Sequence, residues 1–165
     1  MQVPSLAVST IRAHEGLRLT SYQDQGGTWT IGYGTTQGVT PGQTITIEQA
    51  ESYLIRDAVK ALTAVKNGLS SSAWEGLNVN QRAALCSFVY NVGSGNWQRS
   101  TMRDLINQGA TPSRVAKEFP RWILVNGQPS EGLRKRRQDE ADLYLMNNAR
   151  GIVAALALVY LLLKG

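Results

Sequence analysis

The sequence predicts an α+β fold in which a small antiparallel sheet precedes a larger set of helices. Apolar residues recur at helical spacing through most of the chain, and this period disappears between Leu17 and Gly34. Strands and helices also do not alternate, which is typical of segregated α+β folds rather than of a parallel sheet. A chain of 165 residues is long enough to bury its own core, as one unit or as two small lobes.

The first helix is predicted to begin at Pro4, which suits a first helical turn, and to end at Gly16 in a left-handed cap. Glu15 would then lie at the carboxyl end of this helix. Between Leu17 and Gly34, Thr, Tyr, Trp and Ile residues alternate around the turn formers Asp24-Gln25-Gly26-Gly27. This pattern predicts an antiparallel hairpin, followed by a Gly-rich loop.

A long helix is predicted from Ile47 to about Val65, because Thr46 and Gln49 fit a capping box and apolar residues follow at helical spacing. It would end near Asn67-Gly68. Further helices are predicted in four segments that Gly-rich or Pro-containing breaks separate: Asn80 to Val92, Ser100 to Asn107, Pro112 to Phe119 and Ser130 to Met146.

The net charge of +5 predicts attraction to an anionic polymer without identifying it. Residues 76–165 hold twelve of the 17 Lys and Arg residues, with the densest cluster at 134–137. Nucleic acid is not an expected partner, because no zinc-finger spacing, RNA-binding aromatic signature or basic zipper accompanies this cluster. Such a cluster is usually a solvated helix face. One of Arg134, Arg136 and Arg137 could still reach Glu15, and the sequence does not identify which.

The chain has one Cys and one His, which cannot supply a familiar zinc ligand set, so neither a metal nor another cofactor is predicted. Cys86 lies in an apolar run and is predicted to be a small core residue rather than a reactive thiol. Neighbouring helical residues point about 100° apart. We therefore expect His14 to be packed or solvated rather than paired with Glu15, and we expect the Trp residues to be packing anchors.

Glu15 and Asp24 are candidates for the two carboxyl groups that glycoside hydrolysis uses. Partial negative charge at the carboxyl end of a helix disfavours an ionised Glu15, as a proton donor requires. Amides of the Gly-containing turn could hold Asp24 ionised. From these features alone, Glu15 as an ordinary helix-end acid and Asp24 as a turn former remain the simpler interpretations.

The segment His14-Glu15-Gly16-Leu17-Arg18-Leu19, with Tyr22, Asp24 and residues 28–35, resembles the active-site region of the phage lysozymes, the T-even and lambdoid endolysins. In that family a Glu is followed by eight residues, an Asp, five residues and a Thr. Glu15, Asp24 and Thr30 match this pattern without a gap, and the similarity continues to about residue 146.

The resemblance implies a lysozyme-like two-lobed fold and an inverting muramidase. Glu15 would protonate the oxygen that bridges N-acetylmuramic acid and N-acetylglucosamine, while Asp24 and Thr30 hold the attacking water. The catalytic domain would span residues 1–147. Its β-lobe would occupy about 17–45, and the long helix would join it to a helical lobe at about 1–16 and 66–147.

Family positions that contact the substrate map onto Thr36, Tyr90 and Ser100. The family often has a bulky or aromatic residue after its Gly-x-Gly strand, whereas this chain has Thr35-Thr36. Contacts from this rim of the cleft are therefore expected to differ.

The resemblance implies that the partner is the glycan strands of peptidoglycan and that the protein is a monomer. Synthesis is expected in the host bacterial cytoplasm, with action in the periplasm or cell wall. The first residues lack the basic segment and apolar stretch of a secretory signal, so unconventional or assisted export is expected. Two other hypotheses remain: a non-catalytic wall-binding module and a membrane-disrupting cationic protein.

Residues 148–165 form an apolar C-terminal tail beyond the resemblance, with no charge between Arg150 and Lys164. As a helix, residues 151–163 would reach about 20 Å, short of the roughly 30 Å hydrocarbon core of a bilayer. The tail could complete the core of the helical lobe, or residues 151–163 could contact a membrane surface. The second interpretation is favoured, because the bundle should already be complete near Met146.

Overall fold

The computed structural model describes residues 2–24 and 26–146. The predicted tail at 148–165 and its membrane contact lie outside these residues. The elements in chain order are α1 (Ser5–His14), β1 (Arg18–Gln23), β2 (Trp29–Gly32), α2 (Ile47–Asn67), α3 (Ser71–Gly76), α4 (Val79–Val92), α5 (Ser94–Gln98), α6 (Thr101–Asn107), α7 (Pro112–Ala116), a 3-10 turn (Phe119–Arg121), β3 (Leu124–Val125), β4 (Gln128–Pro129) and α8 (Glu131–Leu145). None of the helices in this described part is long and apolar enough to cross a membrane.

The first helix ends one residue before Glu15, and the predicted left-handed cap at Gly16 is wrong. Glu15 has extended backbone angles, φ −102° and ψ 131°, and its amide donates to the Ile11 carbonyl. Gly16 does not have a positive φ. An extended Glu15 lets the chain turn directly into β1, so no left-handed residue is needed to leave the helix.

The hairpin is present as β1 and β2, which pair antiparallel with Tyr22 opposite Thr30. It packs on the long helix α2 through small and apolar side chains. A β-carbon on Gly32 would lie only 3.5 Å from the Ala50 side chain, and Ala50 itself is fully buried. Close packing at this point positions β2, which holds Thr30, against the rest of the molecule.

The long helix α2 has the predicted capping box. The Thr46 hydroxyl accepts from the Gln49 amide at 3.2 Å, and the Gln49 side chain accepts from the Thr46 amide at 2.8 Å. Side chains at helical spacing along α2 form its buried face: Ala50, Leu54, Ala58, Ala61, Leu62 and Val65. This amphipathic face is what stabilises a helix of 21 residues.

Helix α4 is the centre of the helical part, in contact with α1, α2 and α8. Nine of its 14 residues are buried, so it has no polar face in water. Phe88 makes edge-on contacts with Phe119 and Trp122 at centroid distances of 5.5 and 5.4 Å. Cys86 is fully buried, as predicted, and burial raises the pKa of its thiol to about 12.

The part of the chain after α2 contains short elements that periodicity did not predict. Helices α3 and α5 have only 6 and 5 residues, too few to show a helical period. Strands β3 and β4 flank Asn126-Gly127, both with positive φ, and Asn-Gly between short extended segments is a hairpin signal that was present in the sequence. Helix α7 ends at Ala116 rather than Phe119, because Pro120 has no amide hydrogen to donate to the Ala116 carbonyl.

Candidate active site

Glu15 lies where the end of α1 meets α8, with its side chain 22% exposed. Its Oε1 accepts a hydrogen bond from Nη1 of Arg136 at 2.6 Å. The other oxygen, Oε2, faces Gly34, where an added β-carbon would approach it to 3.5 Å. Gly34 has φ +92°, so both its backbone conformation and the nearby carboxylate favour glycine. One oxygen of Glu15 is thus held by a cation, and the other lies beside the loop that follows β2.

The arginine that reaches Glu15 is Arg136. Its side chain is only 4% exposed, and the Arg137 side chain is 1% exposed. Arg134, by contrast, pairs with Glu131 at the surface. The expectation of a solvated cluster is therefore wrong for Arg136 and Arg137. Sequence does not show this, because a buried guanidinium needs a carboxylate partner: Glu140 of the same helix contacts both arginines, and Glu15 from the end of α1 contacts Arg136.

Asp24 and Thr30 belong to the same hairpin. Asp24 Oδ1 accepts from the amides of Gly26 and Thr28, each at 2.9 Å, the local hydrogen-bonding pattern of a turn aspartate. Thr30 is buried, and its hydroxyl donates to the Thr28 carbonyl at 3.1 Å. The Thr30 hydroxyl oxygen can still accept a hydrogen bond, so a water can bind there by donating one of its hydrogens to Thr30.

Thr36 and Tyr90 line one cavity of about 320 Å³ together with Gly34. Gly34 also lies beside Oε2 of Glu15, so the cavity is next to Glu15 through Gly34, although Glu15 is not one of its lining residues. The Tyr90 hydroxyl donates to the Tyr33 carbonyl at 2.7 Å. Burial, reinforced by the charges of Glu15 and Asp57, raises the pKa of Tyr90 above its usual value. Tyr90 is therefore a neutral phenol at physiological pH and joins α4 to the β2 loop.

Asp57 and Lys60 also line this cavity, and sequence reasoning missed both. Asp57 accepts a 2.7 Å hydrogen bond from the Thr35 hydroxyl. Burial opposes its ionisation, but hydrogen bonds from Arg56, Thr35 and Lys60 outweigh this and lower the pKa of Asp57. A usable signal was that Asp57, Lys60, Ala61 and Ala64 share one face of α2, although nothing in the sequence shows what this face contacts.

His14 is packed, one of the two alternatives that were predicted for it. Its side chain is 10% exposed, and Nε2 lies 3.1 Å from Asp139 on α8. Burial and the nearby charge of Arg136 lower the pKa of His14 despite Asp139. The imidazole therefore contacts α8 through Asp139 and not through Glu15. Among the described residues, no hydrogen bond joins His14 to Glu15.

A larger groove of about 1220 Å³ is lined by residues of α1, α2, α3 and α4. Leu6, Ile55 and Trp74 are among its lining residues, and it contains none of the predicted site residues. Volume alone therefore does not identify the site, and the smaller cavity is the one that contains predicted site residues, Thr36 and Tyr90.

Ser100 does not line the cavity next to Glu15. It is 2% exposed, and its hydroxyl donates to the Trp97 carbonyl at 2.8 Å and accepts from the Arg103 amide at 3.2 Å. Both hydrogen-bonding directions are used to cap α6. Substrate contact by Ser100 stays a prediction, and the cap is the interaction that the structure describes.

Replacing Ser100 by Ala is expected to destabilise the protein by about 1 kcal/mol through loss of the cap, with a fall in melting temperature of about 2–4 °C. Ser94→Ala is the matched control, because Ser94 lines the cavity and is exposed. Thermal melts and initial hydrolysis rates of both variants are compared. A Ser100→Ala protein with an unchanged melting temperature and a slower rate would instead identify a substrate contact.

Comparisons with known proteins cover nearly the whole described chain. The family model described as Phage lysozyme matches residues 12–140. An endolysin of Acyrthosiphon pisum secondary endosymbiont phage 1 is 38% identical over 148 residues, covering 87% of this chain and 98% of that endolysin. The muramidase domain of SpmX from Asticaccaulis excentricus superposes with a TM-score of 0.79 at 31% identity, covering 88% of this chain and 99% of the domain. An endolysin from Escherichia coli O157:H7 phage FAHEc1 gives a TM-score of 0.76 at 37% identity, with 88% and 94% covered.

Proposed function

Since the chain belongs to the phage lysozyme family of glycoside hydrolases, we propose that it cleaves the β-1,4 bond between N-acetylmuramic acid and N-acetylglucosamine in bacterial peptidoglycan. The observation on which this depends most is the partly exposed Glu15 carboxylate, held at one oxygen by Arg136 and lying at the other beside Gly34, which lines the cavity. A single carboxyl group in a partly buried cleft is suited to proton transfer.

Glu15 is the general acid, and its proton is on Oε2. Arg136 Nη1 contacts Oε1 at 2.6 Å, and a guanidinium can only donate. A proton on Oε1 would face that donor, whereas a proton on Oε2 faces the side of Gly34. The ion pair therefore selects the oxygen from which the leaving glycosidic oxygen receives its proton.

Asp24 and Thr30 hold the water that attacks the opposite face of the sugar, which gives inversion at the anomeric carbon. Asp24 accepts a hydrogen bond from this water and increases its nucleophilicity. The buried Thr30 hydroxyl limits where the water can sit. Thr36 and Tyr90 lie on the cavity wall and contact the glycan.

In this proposal, the cleft that binds the glycan lies between the two lobes predicted from the sequence. The β-lobe at about 17–45 supplies Asp24, Thr30 and Thr36, and the helical lobe supplies Glu15 and Tyr90. The glycan lies between them. The biological role is host cell lysis by a monomer that is made in the bacterial cytoplasm and acts in the periplasm or cell wall.

The bond specificity is tested by digesting purified peptidoglycan and identifying the new reducing ends. We expect N-acetylmuramic acid at the reducing ends and water incorporated at the anomeric carbon with the α configuration. Reducing-end N-acetylglucosamine would contradict the bond assignment, and anhydro-muramic products would contradict hydrolysis.

Thr30→Glu is expected to trap a covalent glycosyl adduct, because it places a carboxylate where the water would attack. Intact-protein mass spectrometry after incubation with peptidoglycan should show an added muropeptide mass and turnover reduced at least tenfold, in line with the general contribution of a positioned catalytic group. Thr28→Glu is the control, since Thr28 is exposed in the same turn and should give no adduct. Full turnover by the Thr30→Glu protein without added mass would show that Thr30 does not face the anomeric carbon.

A further inference from the structure

A second carboxylate, Glu140, lies behind the pair formed by Glu15 and Arg136, with no solvent exposure of its side chain. Its Oε1 accepts from Nε of Arg136 at 3.1 Å, from Nη2 of Arg137 at 3.0 Å and from the Ser87 hydroxyl at 2.7 Å. Nε of Arg137 lies 2.8 Å from Oε2 as an ion-pair contact that is not aligned as a hydrogen bond. Glu140 therefore contacts both buried arginines of α8.

We call Arg136, Arg137 and Glu140 the α8 charge cluster. Its charges do not cancel, because two guanidinium groups face one carboxylate. One positive charge is left, and an ionised Glu15 neutralises it whereas a protonated Glu15 does not. Charges in a buried, low-dielectric site act beyond direct contact, so the number of charges in the cluster influences which form of Glu15 is stable.

The ionised form of Glu140 fits its surroundings. Burial raises the pKa of this carboxyl, while Arg137, Arg136 and the Ser87 hydroxyl act in the opposite direction. Both arginines can only donate hydrogen bonds, so they satisfy a carboxylate and cannot accept a carboxylic acid proton. Leaving two buried guanidinium groups without this partner would be strongly unfavourable.

Besides Glu15, the cluster is faced by His14 of α1 and by hydroxyls of α4. Burial lowers the pKa of the His14 imidazole; its partner Asp139 of α8 carries a negative charge, but this side chain is 50% exposed, so water screens it. From α4, Ser87 and Tyr90 present neutral hydroxyls. Within the described residues, no ion pair or side-chain hydrogen bond joins α7 or the 3-10 turn to the cluster.

We propose that Glu140 is a positioning residue for the hydrolytic reaction. It holds the Arg136 guanidinium against Oε1 of Glu15 and offsets one of the two arginine charges, and so sets the highest pH at which Glu15 keeps the proton that it donates. This inference rests on the proposed role of Glu15 as general acid.

The test measures hydrolysis of purified peptidoglycan against pH for the full chain and for Glu140→Gln, Arg137→Met and the double variant. Glu140→Gln leaves two positive charges beside Glu15, which favours its ionised form. The alkaline limb of activity should therefore move to lower pH, by on the order of one pH unit. Arg137→Met leaves no net charge in the cluster and should move this limb to higher pH. The double variant restores one positive charge and should return the limb to near its original position.

Glu131→Gln is the matched control. Glu131 pairs with Arg134 on the same helix and at the same three-residue spacing as Glu140 with Arg137, but its side chain is 85% exposed. It should leave the limb in place. Thermal melts across the same pH range verify that each assay uses folded protein, and each profile is normalised to its own maximum. If Glu140→Gln does not fold, Arg137→Met alone tests the direction of the shift.

Opposite shifts for the two single variants would support the role of Glu140, since a purely structural defect has no reason to change sign with charge. Unmoved limbs, or shifts in the same direction, would overturn it. A Glu15→Gln protein that remains active would defeat the proposed function as well. An inactive Glu15→Gln protein together with unmoved limbs would defeat only the role of Glu140.

Discussion

Glu15→Gln should abolish hydrolysis of peptidoglycan and leave the fold intact. The Gln side chain has nearly the same shape, and its carbonyl oxygen can still accept from Arg136, which donates to Glu15 at 2.6 Å in the parent. An amide cannot donate the proton that the leaving oxygen needs. General acid catalysis contributes roughly 10²–10⁴-fold, so we expect at least a hundredfold lower rate of reducing-end release.

Glu51→Gln is a suitable control for this substitution. Glu51 on α2 also accepts from an arginine, Arg12, and its side chain is 33% exposed, yet it does not line the cavity next to Glu15. Its activity should match the parent, and both variants should melt within a few degrees of it. Activity of Glu15→Gln above about a tenth of the parent rate would contradict its assignment as the acid.

Gly68→Ala should produce the largest loss of stability from a single methyl group. Gly68 follows α2 with φ −84° and ψ −9°, which an alanine can adopt without strain. Its β-carbon, however, would overlap Nε1 of the Trp97 indole and lie 3.1 Å from Cε2. Trp97 is fully buried and cannot swing into solvent. Overpacking of this kind costs about 1–3 kcal/mol, and each kcal/mol lowers the melting temperature by about 2–4 °C in a chain of this size.

Gly76→Ala provides the comparison for Gly68→Ala. Gly76 ends α3, has no positive φ, and an added β-carbon there meets nothing within 4 Å. Calorimetry should show that the melting temperature of Gly76→Ala is unchanged or slightly higher than that of the parent, because alanine lowers the conformational entropy of the unfolded chain. Equal melting temperatures for the two variants would show that the space beside Trp97 is not limiting.

Much of the helical architecture could be predicted because it follows from local pattern. The capping box at Thr46 and Gln49 and the apolar spacing along α2 determine where that helix begins and which face it buries. The hairpin was predicted by alternating residues around a turn that starts at Asp24. Predicted helix boundaries were wrong where a single residue interrupts an otherwise helical pattern, as Pro120 does after α7.

The candidate site could be predicted only in part. The family pattern indicates Glu15, Asp24 and Thr30 together, because their spacing is set within one helix end and one hairpin. Asp57 and Lys60 were missed, since their presence at the cavity depends on how the β2 loop packs on α2. Ser100 was predicted at the substrate and lies in a helix cap.

By itself, the sequence determined the order and type of the main elements, the family and the residues that match its catalytic pattern. These properties depend on interactions between residues close in the chain, or on motif identity. Only the tertiary structure decided that Arg136 rather than Arg134 or Arg137 binds Glu15, and that Glu140 lies fully buried between the two arginines. Charged residues at neighbouring positions of α8 look alike in sequence. The partners that distinguish them include Glu15, just after α1, and Ser87 of α4, both more than forty residues away in the chain.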